Sequence, residues 1–160
     1  MRYSGLITND RTAAPGLCVS FFTQGCPHRC HGCHNPETWD FNGGKEFTND
    51  TLNKIIDALT AQNIKRNLCI MGGEPLCEKN AFVTCLVINE VKRRLPEVKI
   101  YIWSGYTYEE LINLANPHVK ECLRLADVLV DGPYIDSERD ITLPLRGSRN
   151  QRIIDLKEKI

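Results

Sequence analysis

The chain has 160 residues, of which 42% are hydrophobic and 25% are charged, so it is long enough for one domain with a buried core and too apolar for a disordered chain. Its 20 lysines and arginines equal its 20 aspartates and glutamates, which excludes the basic face of a typical nucleic-acid-binding protein. No apolar run exceeds four residues, and the first fifteen residues lack the apolar stretch of a signal peptide. We therefore expect one cytoplasmic domain over residues 1–160 that binds neither nucleic acid nor membranes.

Apolar runs and helical periodicities alternate along the first half of the chain. A first strand is predicted over residues 17–22, where a short apolar run ends at a Gln-Gly loop. A helix follows from Thr48, because apolar residues recur at helical spacing from Leu52 to Leu59. A second strand is predicted over residues 68–71, and a second helix carries the apolar residues between Val83 and Val91.

The same alternation continues in the second half. A third strand is predicted over residues 98–103, followed by a helix that starts at the Thr107–Glu110 capping-box pair. Asn116–Pro117 starts another helix, since proline is favoured at the first helical position. A fourth strand is predicted over residues 128–130 and a last one at residues 153–154.

This order of strands and helices predicts an α/β fold with a mostly parallel sheet. A complete eightfold barrel needs about 250 residues, so the chain forms either an open sheet or a fraction of a barrel. Ligands of such sheets bind beyond the carboxyl ends of the strands. Four unusual segments follow predicted strands and should converge on one site: the cysteine-rich loop after residue 25, Gly72–Pro75, Ser104–Tyr106 and Asp131–Pro133.

Three of the eight cysteines, Cys26, Cys30 and Cys33, lie in a C-x3-C-x2-C motif. Three thiolates this close together suit one metal centre. The spacing alone leaves two alternatives open. One is a closed zinc site whose fourth ligand is a nearby histidine (His28, His31 or His34), and the other is an iron–sulfur cluster with one iron lacking a protein ligand. The remaining cysteines are scattered and are expected to be small buried apolar residues: Cys18, Cys69, Cys77, Cys85 and Cys122.

The Gly-Gly-Glu-Pro turn after the second strand is the second candidate ligand site. Gly72 and Gly73 let the backbone approach a ligand closely, and Glu74 presents a carboxylate to a cationic amine. The structural alternative is a tight turn that ends at Pro75. Asp131 ends the fourth strand on the same face, where it either places a negative charge near a cationic ligand or forms an Asp-Gly turn.

The cysteine motif after the first strand, with Gly-Gly-Glu-Pro after the second, resembles the radical S-adenosylmethionine (radical SAM) superfamily. Within it, four stretches resemble the activating proteins of anaerobic ribonucleoside-triphosphate reductases: CHNPETW at 33–39, WSGY at 103–106, DVLVDGPY at 127–134 and LRGSRNQ at 145–151. The resemblance runs from about residue 16 to residue 154, nearly the whole chain. It implies a partial (β/α) barrel of the radical SAM type with a mostly parallel open sheet.

The resemblance also implies cofactors and their ligands. Cys26, Cys30 and Cys33 would hold three irons of a 4Fe–4S cluster, and S-adenosylmethionine would chelate the fourth iron. Gly72, Gly73 and Glu74 would meet the methionine end, with the Glu74 carboxylate or nearby carbonyls at its amine, and Asp131 would lie near the sulfonium. Gly32 and His34 would lie by the adenine. Many superfamily members carry an aromatic residue at the position of Gly32, and the activating proteins carry a ring at the position of His34.

The implied activity is that of a glycyl-radical activating enzyme, a radical SAM oxidoreductase. One electron from the reduced cluster would cleave S-adenosylmethionine, and the resulting 5′-deoxyadenosyl radical would take hydrogen from a backbone glycine of the large reductase subunit. The implied electron donor is a flavodoxin or ferredoxin, and a homodimer is one assembly that the chain could form. The alternatives are activation of another glycyl-radical enzyme, such as pyruvate formate-lyase, and a zinc-stabilised interaction module.

Smaller predictions concern residues around the expected site. Trp39 and Tyr106 are expected in the core rather than in the cofactor pocket. Residues 146–151 form either a surface that faces the reductase or a solvated terminal strand. His28 and His31 are expected to point from the cysteine loop into solvent.

Overall fold

The computed structural model describes residues 1–159, in which seven strands form one sheet. The strands are β1 (Arg2–Asp10), β2 (Cys18–Gln24), β3 (Lys45–Glu46), β4 (Asn67–Gly72), β5 (Ile100–Trp103), β6 (Val128–Asp131) and β7 (Arg152–Asp155). Their order across the sheet is β3-β1-β2-β4-β5-β6-β7. The four central strands, β2, β4, β5 and β6, run parallel. The predicted α/β fold with a mostly parallel, open sheet is confirmed.

Four α-helices connect the parallel strands: α1 (Asn49–Thr60), α2 (Glu78–Arg94), α3 (Tyr108–Asn113) and α4 (Pro117–Leu125). The predicted capping box is present before α3, because Thr107 Oγ1 accepts from Glu110 N at 3.2 Å while Thr107 N donates to Glu110 Oε2 at 2.7 Å. Asn116 caps α4 through the amides of the first turn. Within residues 1–159, none of the helices combines the length and apolarity needed to cross a membrane.

The sheet extends beyond the predicted strands at both edges. β1 pairs antiparallel with β2, and β3 pairs with β1. β1 was not predicted, because its residues form no apolar run: the middle of the strand is exposed or only half-buried. At the other edge, β7 pairs antiparallel with β6 and extends the predicted 153–154 strand by one residue on each side.

Alternation along the strands divides the buried residues between the two faces of the sheet. One face packs against the helices through residues such as Phe21, Ile70 and Ile102, which are fully buried. The other face holds a smaller cluster around Cys69 and Tyr101. The five scattered cysteines are all buried and unpaired by disulfides, as predicted: Cys18, Cys69, Cys77, Cys85 and Cys122.

Candidate functional site

The carboxyl ends of the four parallel strands surround a cleft of about 230 Å³. All four segments predicted to converge contribute to its wall, because parallel strands end at the same edge of the sheet. These segments contribute Cys26, His28, Cys30, Cys33, His34, Gly72, Gly73, Glu74, Ser104, Gly105 and Gly132. Trp103, Tyr134, Leu145, Gly147 and Gln151 complete the far side.

The cysteine loop leaves β2 at Gly25 and is held by main-chain hydrogen bonds. Gly25 N donates to Thr38 O at 2.7 Å, and Cys26 N donates to Trp39 O at 3.2 Å, so the loop is fixed to the turn at 36–38. Within the loop, Cys33 N donates to Cys30 O at 3.1 Å. These bonds bring all three cysteines, each half-buried and free, to one side of the cleft.

The three thiols are the candidate ligands of a metal centre. Within residues 1–159, no group of three histidine, cysteine or acidic side chains is arranged to hold a metal ion. The three thiols nevertheless come from one short loop and face one cleft, a donor set that an iron–sulfur cluster with three cysteine ligands requires. Burial raises the pKa of Cys26 to about 11, so binding of a metal centre must release a proton from this thiol.

Gly72 and Gly73 are required by the neighbouring strand. Gly72 has φ +106°, and a Cβ at this residue would lie 2.7 Å from both the amide nitrogen and the carbonyl oxygen of Thr23. A Cβ at Gly73 would collide with the Gly25 carbonyl. Gly73 N and Glu74 N instead donate to Thr23 O and Gly25 O, each at 2.9 Å. The two glycines therefore let the β4 end pack directly against the base of the cysteine loop while lining the cleft.

The Glu74 carboxylate is fully buried and accepts four hydrogen bonds. Oε1 accepts from Leu76 N at 3.0 Å and from Ser104 Oγ at 2.9 Å. Oε2 accepts from Gly105 N at 2.7 Å and from His28 Nε2 at 2.8 Å. A carboxylate offers about four lone-pair positions, so internal donors fill the acceptor capacity of this one.

His28 lies inward, and the prediction that it points into solvent is wrong. Its ring donates to buried Glu74 and packs edge-on against Tyr106, with ring centroids 4.5 Å apart. The hydrogen bond to the buried Glu74 carboxylate holds the ring inward, whereas a loop histidine is normally expected to be exposed to solvent. Burial, followed by the negative charge of Glu74, raises the pKa of Tyr106 to about 12. His31 is exposed, as predicted.

Of the two residues predicted to lie by the adenine, His34 lines the cleft and Gly32 does not. His34 lines the cleft and packs against Tyr134, with ring centroids 5.2 Å apart. Gly32 does not lie among the cleft-lining residues, and it faces Asp136 instead: a Cβ on Gly32 would lie 2.6 Å from Asp136 Oδ1. Asp136 Oδ1 also accepts from the Tyr134 hydroxyl at 2.9 Å.

Asp131 is buried beside the cleft without lining it. Its carboxylate forms an ion pair with Arg152 of β7 and accepts from Tyr108 N at 2.7 Å. Arg152 also pairs with Glu109. These contacts tie the end of β6 to β7 and to α3, and the neighbouring Gly132 faces the cleft.

The far wall of the cleft contains residues that were not predicted as site residues. Trp103 Nε1 donates to Leu145 O at 2.7 Å, and Gln151 Oε1 accepts from Gly147 N at 2.9 Å. Trp39, expected in the core, also lines the cleft. The LRGSRNQ motif at 145–151 was the signal that marked part of this wall.

An open α/β sheet with three cysteines of one loop at its carboxyl edge is an arrangement that suits an iron–sulfur protein. In agreement, the family model described as "4Fe-4S single cluster domain" matches residues 13–154.

Three full-length relatives specify the family more closely. The chain is 36% identical over 154 residues to a protein of Vibrio cholerae serotype O1, covering 96% of this chain and 97% of the relative. It is 36% identical over 155 residues to a protein of Enterobacteria phage T4, with coverages of 96% and 93%. It is 34% identical over 158 residues to a protein of Escherichia coli strain K12, with coverages of 98% and 100%. Each relative is an anaerobic ribonucleoside-triphosphate reductase-activating protein. The chain belongs to this family, as its motifs predicted.

Proposed function

We propose that this chain is a radical SAM enzyme that activates an anaerobic ribonucleoside-triphosphate reductase by generating a glycyl radical on its large subunit. The observation that carries the proposal is the convergence of Cys26, Cys30 and Cys33 with the Gly72–Glu74 turn on one cleft. The names of the relatives support the reductase as the protein substrate. The parallel strands β2, β4, β5 and β6, with their helical crossovers, support an open sheet that is a fraction of a (β/α) barrel.

The three cysteines hold the 4Fe–4S cluster in this proposal, and S-adenosylmethionine occupies the rest of the cleft. With both bound, the cluster would supply one electron for the reductive cleavage of S-adenosylmethionine, and the deoxyadenosyl group would remove a hydrogen atom from the target glycine. The protein orients the cofactors and excludes water. A flavodoxin or ferredoxin is the proposed electron donor, the cytoplasm is the proposed compartment, and a homodimer is the proposed assembly.

Residue roles follow from placement in the cleft. Gly72 and Gly73 meet the methionine end through their backbone, and His34 lies by the adenine. The four internal donors to Glu74 support a contact with the amine through carbonyl groups rather than through its carboxylate. Gly32 and Asp131 stay predicted cofactor contacts, and their positions outside the cleft wall give them less support.

The two alternative functions receive less support from the same observations. A closed zinc site needs four protein ligands, yet His28 is bound to Glu74, His31 is exposed and His34 packs on Tyr134. Activation of pyruvate formate-lyase shares the proposed chemistry but is not what the names of the relatives indicate.

The proposal is tested by measuring which glycyl-radical enzyme the chain activates. The reconstituted, reduced chain is incubated anaerobically with S-adenosylmethionine and either the large subunit of an anaerobic ribonucleoside-triphosphate reductase or pyruvate formate-lyase. We expect a glycyl-radical EPR signal in the reductase, no signal in the lyase, and none in either with Cys33→Ala. A radical in the lyase alone would select the alternative activity, and a signal that persists in Cys33→Ala would contradict the assigned ligands.

A further inference from the structure

We propose that His28 is a positioning residue: its hydrogen bond to Glu74, here called the His28–Glu74 clasp, fixes the cysteine loop against the Gly72–Glu74 turn. The clasp sets the distance between the cluster ligands and the part of the cleft that receives S-adenosylmethionine. Its effect on the cofactor rests on the proposed function, whereas the clasp itself is a property of the protein without cofactors.

The clasp joins the interior of the cysteine loop to the ends of two strands. His28 lies between the cluster ligands Cys26 and Cys30, and its Nε2 donates to Glu74 Oε2 at 2.8 Å. The same oxygen accepts from Gly105 N, which follows β5. At the base of the loop, Gly25 O accepts from Glu74 N at 2.9 Å, whereas the other main-chain bonds of the loop lead toward the turn at 36–38 or stay within the loop. The His28 ring therefore links the middle of the loop to β4 and β5.

The structure provides a fitted place for this ring. A Cβ at Gly105 would lie 2.5 Å from His28 Cδ2, so a larger residue there would push the imidazole away. The ring also packs edge-on against Tyr106, with the two ring centroids 4.5 Å apart. The side chain of His28 is 18% exposed and that of Glu74 is 1% exposed. An imidazole held this way has little freedom to turn.

The carboxylate needs its fourth donor because it is buried. A charged group removed from water is stable only when hydrogen bonds replace its hydration. Leu76 N, Ser104 Oγ and Gly105 N come from the rigid strand ends, and His28 is the donor that the cysteine loop supplies. Loss of His28 leaves Oε2 short of one donor and frees the centre of the loop at the same time.

A loop freed at its centre should bind the cofactor less well even when it still holds iron. S-adenosylmethionine must contact the cluster and the Gly72–Gly73 backbone together, and such sites require placement within about 0.5 Å. The four donors to Glu74 also leave no acceptor on its carboxylate for the methionine amine. The contribution of Glu74 is therefore to hold the loop through His28.

The test compares His28→Leu with His28→Gln and with His31→Leu. Leucine removes the donor, glutamine retains an N–H near the Nε2 position, and His31 is an exposed residue of the same loop. Iron content and the dissociation constant for S-adenosylmethionine, followed by EPR of the reduced cluster, are measured in each reconstituted protein. We expect near-normal iron content in all variants and about tenfold weaker cofactor binding in His28→Leu only.

A second measurement uses the protein without cofactors. Arg29 is exposed in the cysteine loop, so trypsin cleavage after Arg29 reports loop opening. We expect cleavage about tenfold faster in His28→Leu and Gly105→Ala than in the wild type, His28→Gln or His31→Leu. Gly105→Ala keeps the histidine but displaces its ring, which keeps the proposal testable if His28→Leu does not fold.

The two measurements separate failure of the clasp from failure of the proposed function. If no protein, including the wild type, binds a cluster or S-adenosylmethionine, the proposed function fails while the cleavage rates still test the clasp. Cleavage unchanged in both His28→Leu and Gly105→Ala would overturn the clasp. Faster cleavage with unchanged cofactor binding would overturn the positioning role and leave only a structural hydrogen bond.

Discussion

Two buried carboxylates at the same edge of the sheet, Glu74 after β4 and Asp131 at the end of β6, have different partners. Both side chains are 1% exposed. Asp131 is paired with the guanidinium of Arg152, which is 48% exposed at the side chain and reaches solvent. Within residues 1–159, no lysine or arginine pairs with Glu74, whose negative charge is met by two main-chain amides, a hydroxyl and His28.

The difference shows what each carboxylate holds together. Asp131 joins two regular elements, β7 and α3, outside the cleft wall. Glu74 joins two strand ends to an irregular loop that carries the cluster ligands. An acidic residue after a parallel strand can therefore stabilise either the edge of the sheet or the active-site loop, and its partners decide which.

Glu74→Ala should have the largest effect on folding, because it leaves four donors without their acceptor. Breaking a buried, charged hydrogen-bond network costs about 3–5 kcal/mol, and we expect a decrease of that order in the free energy of unfolding, measured by urea denaturation of the protein without cofactors. Glu97→Ala, at an exposed residue, is the control and should change little. A Glu74→Ala protein as stable as the control would remove the distinction between the two carboxylates.

The protein should also lose stability at alkaline pH, because a buried thiol near the end of β4 ionises there. Cys77 is the N-cap residue of α2 and lies near Glu74. Burial, followed by weaker effects that include the negative charge of Glu74, raises the pKa of its thiol from 9.0 to about 11. The folded protein therefore favours the neutral thiol, and this stabilisation is complete below pH 9 and is lost as the pH rises from 9 to 11. The loss amounts to about 2–3 kcal/mol.

The matched variant for the alkaline loss is Cys77→Ser, which does not ionise in this range and suits a helix N-cap. Urea denaturation at a series of pH values should show a shallower decline in the variant than in the wild type. Equal declines would mean that Cys77 ionises normally in the folded protein.

Asp131→Asn should have the smallest effect of the three changes. The amide cannot accept from Arg152 and Tyr108 N as the carboxylate does, but Arg152 reaches solvent and can rehydrate, so we expect a loss of about 1–2 kcal/mol. Because Asp131 does not line the cleft, unchanged binding of S-adenosylmethionine to the reconstituted variant would assign this residue a structural role only. Weakened binding would instead support Asp131 as the predicted contact near the sulfonium.

Local sequence patterns predicted the four parallel strands and the convergence of their ends, because both depend on apolar periodicity and on general rules for parallel sheets. They also predicted that Cys26, Cys30 and Cys33 would lie together, since one short loop contains all three. Sequence patterns missed β1, whose half-exposed residues form no apolar run.

The partners of Glu74 could not be predicted from local sequence. Ser104 and Gly105 lie 30 and 31 residues away along the chain, and His28 lies 46 residues away. A histidine between two metal-ligand cysteines looks like a solvent-exposed loop residue until the end of another strand places a buried carboxylate opposite it. The sequence marks Glu74 as an acid in a glycine-rich turn, while its donors follow only from the assembled sheet.

The central claim, that the cysteine loop holds an open cluster to which S-adenosylmethionine binds, is tested most directly by anaerobic EPR. The protein is reconstituted with iron and sulfide, reduced, and measured with and without S-adenosylmethionine, alongside Cys30→Ala. We predict a reduced-cluster signal that changes when S-adenosylmethionine is added and that is absent from Cys30→Ala. Retention of zinc by the purified protein, with no cluster signal after reconstitution, would contradict the claim and favour a zinc-stabilised interaction module.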